Sequence, residues 1–418
     1  MQPINRKLID GEAAIPPLNL YLKSYRENPY KYLKEIREHA PLYEIKGPNP
    51  EWFITRYEDV KAVISGNNYS VDDLPYRLLK KNDLIKGEGN LNVLSDAIAD
   101  WMIFAQPPEH TRLRRPMTRY FSPRELSRMT HLVQKDVDSL IAAVREKGEM
   151  EFIADIAKKL PIITSSRLLG IPPEDYDIIY KWTNCLVDIF DQPNTLESYQ
   201  AMNQTTIEFR EYFTRLIATK RKRGDDGLIS YLVALNDEEH IYSDDELLAT
   251  CSFLITAAQE STEAFMGNSV LALLKNPDQK KWLSSNPDKI TMAVEELLRY
   301  DPPIQMLVRI PLTEVNIMGQ TIQPGERILT SLAAANRDPA EFDEPDVLNL
   351  ARAKNNNIAF GYGIHTCIGA WLARLEGQLL FNSLLASFPD MELASDKLSW
   401  YPNVFIRGLK ELPVNLKI

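Results

Sequence analysis

The sequence predicts a mainly α fold with a small β region. Apolar residues recur at three and four along most of the chain, and β-rich runs gather in only two stretches. Neither a Gly/Ser-rich or charged linker nor an internal repeat divides the 418 residues. One domain over 1–418 is therefore expected, with β-rich parts at about 41–56 and 304–335 and helix elsewhere.

The first β-rich part is a hairpin, Leu42 to Ile45 and Trp52 to Thr55, turning through Gly47-Pro-Asn-Pro50. From Arg124 to Lys147, the residues Met129, Val133, Val137, Leu140, Ile141 and Val144 form one apolar stripe, and Gly148 ends the run. The basic run Lys220-Arg-Lys-Arg223 follows the helical pattern Phe209, Tyr212, Phe213, Leu216 and Ile217, so it complements a helix C-terminus and needs no nucleic acid to explain it. A longer helix starts at Ser243, with Glu246 completing a capping box, and meets no proline before Pro277. Its middle, Phe253 to Ala258, is apolar all round, so this helix, roughly 50 Å long, is expected to be a buried axis. The second β-rich part comprises Met306 to Ile310, Val315 to Ile317 and Arg327 to Leu332, punctuated by Gly319 and Pro324-Gly325.

Composition narrows the function. With 44% hydrophobic and 25% charged residues, the chain has the balance of a folded domain. A net charge of 48 − 58 = −10 argues against a general phosphate-backbone binder, so no nucleic-acid partner is expected. No run approaches the roughly 18 to 20 apolar residues of a membrane span, and the first residues lack a signal peptide's apolar core. A cytoplasmic protein without membrane attachment, and a monomer, is expected. Cys185, Cys251 and Cys367 lie too far apart for a disulfide framework or a zinc site, so any that matters acts alone.

The chemistry concentrates in Phe360-Gly-Tyr-Gly-Ile-His-Thr-Cys-Ile-Gly-Ala370. Gly361 and Gly363 permit a tight turn and a close approach, and Cys367 stands at the start of a helical pattern, where the dipole and free N–H groups favour a thiolate. Three readings compete: an inert buried cysteine, a dinucleotide loop, and a thiolate ligand to haem iron. The dinucleotide loop lacks its third glycine, since Thr366 takes that place, and no strong strand precedes it. The haem ligand accounts for glycines, cysteine and helix start together.

At these residues the sequence resembles the cytochrome P-450 superfamily, in its soluble bacterial branch, and the resemblance spans nearly the whole chain. It implies the cytochrome P-450 fold, a triangular helical prism with the long central helix over the haem. Cys367 is then the axial ligand of the haem iron, with Phe360, Gly361, Gly369 and Ala257 lining the cofactor. His110 and Arg114, i and i+4 on one helix face, join Arg309 and His365 as donors to the haem propionates. Glu296 and Arg299 brace the cysteine loop with Arg352. Glu260 and Ser261 are the acid and alcohol that relay protons, with Ala258 where relatives carry glycine and Ser261 where they carry threonine. Retained Glu260 argues against the peroxide-using branch.

The implied cofactor is haem b, with dioxygen as co-substrate and electrons from NAD(P)H. No flavin or nicotinamide fingerprint is present, so a separate ferredoxin and ferredoxin reductase, or a flavodoxin, are the expected partners, docking near Arg112, Arg115 and Arg374. The implied substrate pocket runs from Leu74 to Met102, around Val187 to Phe190, and past Phe253, Ile304, Met306, Val308, Val404 and Phe405, with Gln305 and Asn403 as its neutral polar groups. It suits a medium to large apolar molecule such as a polyketide, macrolide, terpenoid or cyclic peptide. The expected activity is monooxygenation, with oxidative coupling or desaturation, and a non-catalytic haem-binding protein, as the alternatives.

Overall fold

The computed structural model describes residues 18–45, 51–84, 90–190 and 194–417. The helices that position the site are α1 (Glu109–Tyr120), α2 (Thr130–Lys147), α3 (Lys159–Leu169), α4 (Tyr176–Val187), α5 (Leu196–Lys222), α6 (Asp244–Lys275), α7 (Ile290–Tyr300) and α8 (Ala370–Ser387).

The capping box at Ser243 and Glu246 forms as the sequence requires: the Ser243 hydroxyl accepts from the Glu246 amide, and the Glu246 carboxylate accepts from the Ser243 amide at 2.8 Å. From there α6 runs through the molecule, packing on α3, α4, α5 and α8. Ile255, Phe265, Met266, Val270 and Leu273 are wholly buried, each worth about 1.5–3 kcal/mol of burial. Helices α6 and α8 meet closely at Gly377, where a Cβ would stand 2.7 Å from the Phe265 ring. Ala257 departs from the expected buried axis: it is exposed between buried Thr256 and buried Gln259. That face of the helix borders open space, while the rest of the turn is packed.

The apolar stripe of 124–147 is present, with Val133, Val137, Ile141 and Val144 buried and Gly148 closing the helix at φ +76°. The helix itself begins at Thr130. A four-residue helix, Pro123–Leu126, and a 3-10 turn, Ser127–Met129, precede it, because Ser122 caps the shorter helix by accepting from the Glu125 amide. The basic run ends α5 as expected, with Lys220 paired to Asp225 and Arg221 to Asp237.

Both β-rich parts contribute to one sheet. Its strands are β1 (Leu42–Ile45), β2 (Glu51–Ile54), β3 (Tyr69–Ser70), β4 (Met306–Pro311) and β5 (Arg327–Ser331), in the order β1-β2-β5-β4-β3. The hairpin partners are antiparallel, Leu42 opposite Ile54, but the turn between them falls outside the described residues. Parallel pairing sets Trp52 beside Ile328, and antiparallel pairing sets Arg309 beside Ile328. Thus Arg309 is fixed on an inner strand. Strands also occur beyond the two expected regions, at Met150–Glu151, Glu392–Leu393, Ser399–Trp400, Leu409–Glu411 and Pro413–Asn415. Each has two or three residues, too short for a clear pattern: Met150–Glu151 and Glu392–Leu393 exist by pairing with Pro413–Asn415 further along the chain, and Ser399–Trp400 and Leu409–Glu411 pair with each other.

Candidate active site

The loop before α8 holds Cys367 by its own backbone. The Cys367 amide donates to Phe360 O at 2.9 Å, and the Gly361 amide to Ile358 O at 2.9 Å. Gly361 and Gly363 sit at φ +72° and +80°, and a Cβ on Gly363 would meet Ser65 Cα at 2.9 Å. Glycine is therefore required there twice over.

Helix α8 starts at Ala370, three residues past the cysteine, and the Gly369 and Ala370 amides donate to the sulfur. The expected low thiol pKa is not met. Burial pushes the Cys367 thiol up, against the opposing pull of those amides, Arg114 and Arg374. A cation on the sulfur is what tips such a site to the thiolate. Protein packs closely around the sulfur, yet the Cys367 residue as a whole is exposed.

Four basic groups from three parts of the chain converge beside this loop. The His110 and His365 rings lie 4.2 Å apart between centroids. Arg114 donates to Thr366 O, and Arg309 to Val308 O at 2.9 Å and Ile64 O at 3.2 Å. Burial pushes the His110 imidazole down to about 4, helped by Arg114. His365 falls to about 3 through burial, then His110, Arg309 and Arg114, while burial lowers Arg309 to about 10. Among the described residues, none of the four makes an ion pair, and His110 Nε2 is buried without a hydrogen-bond partner. Four donors held together without an anion suit a ligand carrying two carboxylates, because each buried charge is costly until paired. The donor set therefore fits haem.

The brace is fully formed. Glu296 and Arg299 are both 0% exposed and share two hydrogen bonds of 2.7 Å. Glu296 also accepts from Arg352 Nε at 3.0 Å, the Asn349 amide at 3.0 Å and Asn355 Nδ2 at 3.1 Å. Arg299 donates to Asn336 O at 2.9 Å, and Asn336 Oδ1 accepts from the Ile358 amide at 2.8 Å, two residues before Phe360. The pair is thus a buried tie to the cysteine loop, whereas an isolated i, i+3 pair reads as a surface bridge.

The chain matches the family model described as Cytochrome P450 over residues 176–399. It is 36% identical to the polyketide biosynthesis cytochrome P450 PksS of Bacillus subtilis over 94% of this chain and 97% of that one. The chain belongs to the cytochrome P450 family. The solved PksS structure superposes with a TM-score of 0.86, covering 96% of this chain and 99% of PksS at 34% identity. A structure of P450BioI in complex with a hexadecenoic acid-ligated acyl carrier protein gives 0.86 at 32% identity, covering 94% and 99%. The vitamin D(3) 25-hydroxylase of Pseudonocardia autotrophica is 34% identical over 95% of this chain and 96% of its own. The fold is the cytochrome P450 fold, and the protein is an oxidoreductase of the monooxygenase type. Such enzymes use haem, dioxygen and electrons from redox partners on apolar substrates. No helix among the described residues is long and apolar enough to cross a membrane.

Glu260 and Ser261 both lie on α6 of this P450, where the Ser261 hydroxyl donates to Ala257 O at 3.1 Å, four residues back. The pocket residues divide. Phe253 packs on Trp101 at 5.4 Å, and Trp101 on Phe190 at 6.1 Å between centroids. Ile304, Val308 and Phe405 are half-buried, whereas Met306 and Val404 are buried in the core with Leu33, Phe53 and Leu329. Gln305 Nε2 donates to Pro302 O, and Asn403 Oδ1 accepts from the Phe405 and Ile406 amides, so each side chain also braces its own loop. Trp101 lies within the expected Leu74 to Met102 segment, is 2% exposed, and has its Nε1 buried without a partner. Sequence reasoning missed Glu263, whose signal was its i, i+3 spacing from Glu260.

Proposed function

We propose that this P450 oxidises a medium to large apolar molecule of secondary metabolism, by hydroxylation or a related step. One catalytic domain over 1–418 binds haem b, and electrons from NAD(P)H arrive through a ferredoxin and its reductase or a flavodoxin. The observation that carries the reading is the set of four basic groups, without an ion-pair partner among the described residues, beside Cys367 in a loop tied down by the buried Glu296–Arg299 pair. Bound haem supplies the dioxygen chemistry; the chain positions it and manages protons. Cys367 would hold the iron, and His110, Arg114, Arg309 and His365 the propionates. Trp101, Phe190 and Phe253 present an aromatic wall that excludes water and favours an apolar substrate. Glu260 takes a proton from the solvent side, and Ser261 passes it on by turning its hydroxyl away from Ala257 O.

The partner surface rests on apolar contact as well as charge. Tyr362, Ile364 and Trp371, all in or next to the Cys367 loop, are 46%, 43% and 52% exposed, and Lys61 sits 4.5 Å above the Tyr362 ring. Arg112 is tied to Glu246 and Arg374 to Glu295, which leaves exposed Arg115 and half-buried Lys61 as the more available cations. PksS is named for polyketide biosynthesis and P450BioI was solved with a carrier-bound acyl chain, which supports a polyketide or acyl-type substrate, free or carrier-bound.

The test is NADPH consumption with a surrogate ferredoxin and reductase, with polyketides, macrolides or acyl chains that shift the ferric spectrum on binding. Substrate-stimulated consumption with oxygenated product is expected. A single stoichiometric reduction of the haem, with no continuing NADPH consumption and no oxygenated product, would mark a binding protein and overturn the reading.

A further inference from the structure

On α6, Glu263 follows Glu260 by three residues, so both carboxyl groups leave the same helix face with Cβ atoms about 5–6 Å apart. Glu263 is only 5% exposed. Every element packed over it brings a titratable or charged group: Tyr180 from α4 donates to its carboxylate, Lys158 from the start of α3 attracts it, and Glu151 repels it. Tyr401 comes from the loop after Ser399–Trp400, where its amide donates to Gly408 O at 3.0 Å, and a Cβ on Gly408 would touch Ala264. Its hydroxyl hydrogen-bonds with Lys158 and feels the charges of both Glu263 and Glu260, and the Tyr180 hydroxyl feels the same two carboxylates.

Three acids (Glu260, Glu263 and Glu151), two phenols and one lysine thus form a single cluster around and behind the acid–alcohol pair. Lys158, Tyr401 and Glu151 lie half-buried at its outer side. Burial pushes the Glu263 carboxyl up to about 7, against the pull of Lys158 and Tyr180. A carboxylic acid balanced near neutrality and held by exchangeable donors is suited to proton transfer.

We infer that Glu263 is the proton store behind Glu260, filled from water past Lys158 and Tyr401. Glu263 gives its carboxyl proton to the Glu260 carboxylate: one O–H bond breaks on Glu263 and one forms on Glu260. Glu263 is left as a carboxylate, which Lys158 and the Tyr180 hydroxyl stabilise until water returns the proton. No electrons move. The inference rests on the monooxygenase reading and adds the solvent side of its proton route.

The experiment has two arms, both on the haem-loaded chain. Infrared difference spectra from pH 5.5 to 8.5 should show a protonated carboxyl band that titrates near neutrality, disappears in Glu263→Gln, and moves to higher pH in Lys158→Met. NADPH oxidation with a surrogate ferredoxin and reductase, without added substrate, should slow about tenfold in Glu263→Gln, below the 10²–10⁴ of a direct acid–base group. Its solvent deuterium isotope effect should rise, and the rate's dependence on pH near 7 should vanish. The inference is overturned if the band is absent from the parent chain, or if it vanishes in Glu263→Gln while rate, isotope effect and pH profile stay unchanged. Failure of the monooxygenase reading looks different: the parent chain would then oxidise no NADPH, whatever the infrared band does.

Discussion

Replacing Glu296 by Gln tests whether the buried brace holds the cysteine loop. The substitution keeps the shape and removes the charge, and one acceptor oxygen becomes an NH2 group facing donors. In the parent chain that carboxylate takes five hydrogen bonds, from Arg299 twice, Arg352, Asn349 and Asn355. Arg299, 0% exposed, would then be left charged among the carbonyls of Asn336, Pro345 and Val347. Breaking such a buried pair costs about 3–5 kcal/mol. At about 2.1 cal/mol/K per residue, unfolding 418 residues carries roughly 0.9 kcal/mol/K, so the midpoint should fall by about 3–6 °C. Circular dichroism melts of the haem-loaded protein would measure this, and pyridine haemochrome assays after gel filtration should show haem loss. A shift under about 1 °C with full haem retention would refute the idea that the pair ties down Ile358 and the loop that follows.

Ser261→Ala should lower product per NADPH severalfold and leave the ferric spectrum intact; unchanged coupling would show that water or substrate supplies the protons. Arg309→Leu should weaken haem retention by about 10-fold to 150-fold, as one charge-assisted donor of about 1.5–3 kcal/mol is lost, and transfer of haem to apomyoglobin would follow it. Glu376, 2% exposed on α8 and hydrogen-bonded with Thr164, has its carboxyl pushed up to about 8 by burial. Its folded pKa is above the unfolded one, so its contribution is fully present below about 4.5 and declines by about 1.4 kcal/mol per pH unit until about 8. Melting midpoints of Glu376→Gln should therefore gain on the parent chain from pH 5 to 8 and level off above; a constant gap would contradict this.

The parts of the fold written in local pattern were legible: the capped helix from Ser243, the stripe of Val133 to Val144, and the five longer strand runs. The cysteine loop was legible because its glycines and helix start crowd into eleven residues. What stayed hidden depends on contacts between distant segments. No pattern around Gln305 or Asn403 shows that their side chains hydrogen-bond within their own loops. Equally, Lys158, Tyr180 and Tyr401 are over 200 residues apart from first to last and meet only because α3, α4 and the Tyr401 loop all pack on α6. The apolar run at Phe253 to Ala258 is buried through Thr256 as its composition suggests, and only the exposure of Ala257 was not legible, because an alanine suits packed and open helix faces alike.

The account depends most on sulfur ligation by Cys367. A carbon monoxide difference spectrum of the reduced, haem-loaded protein measures that directly. The red-shifted Soret band of a thiolate-ligated haem is predicted, lost in Cys367→His. A band at the position of imidazole-ligated haem in the parent chain, or a protein that takes up no haem, would contradict it.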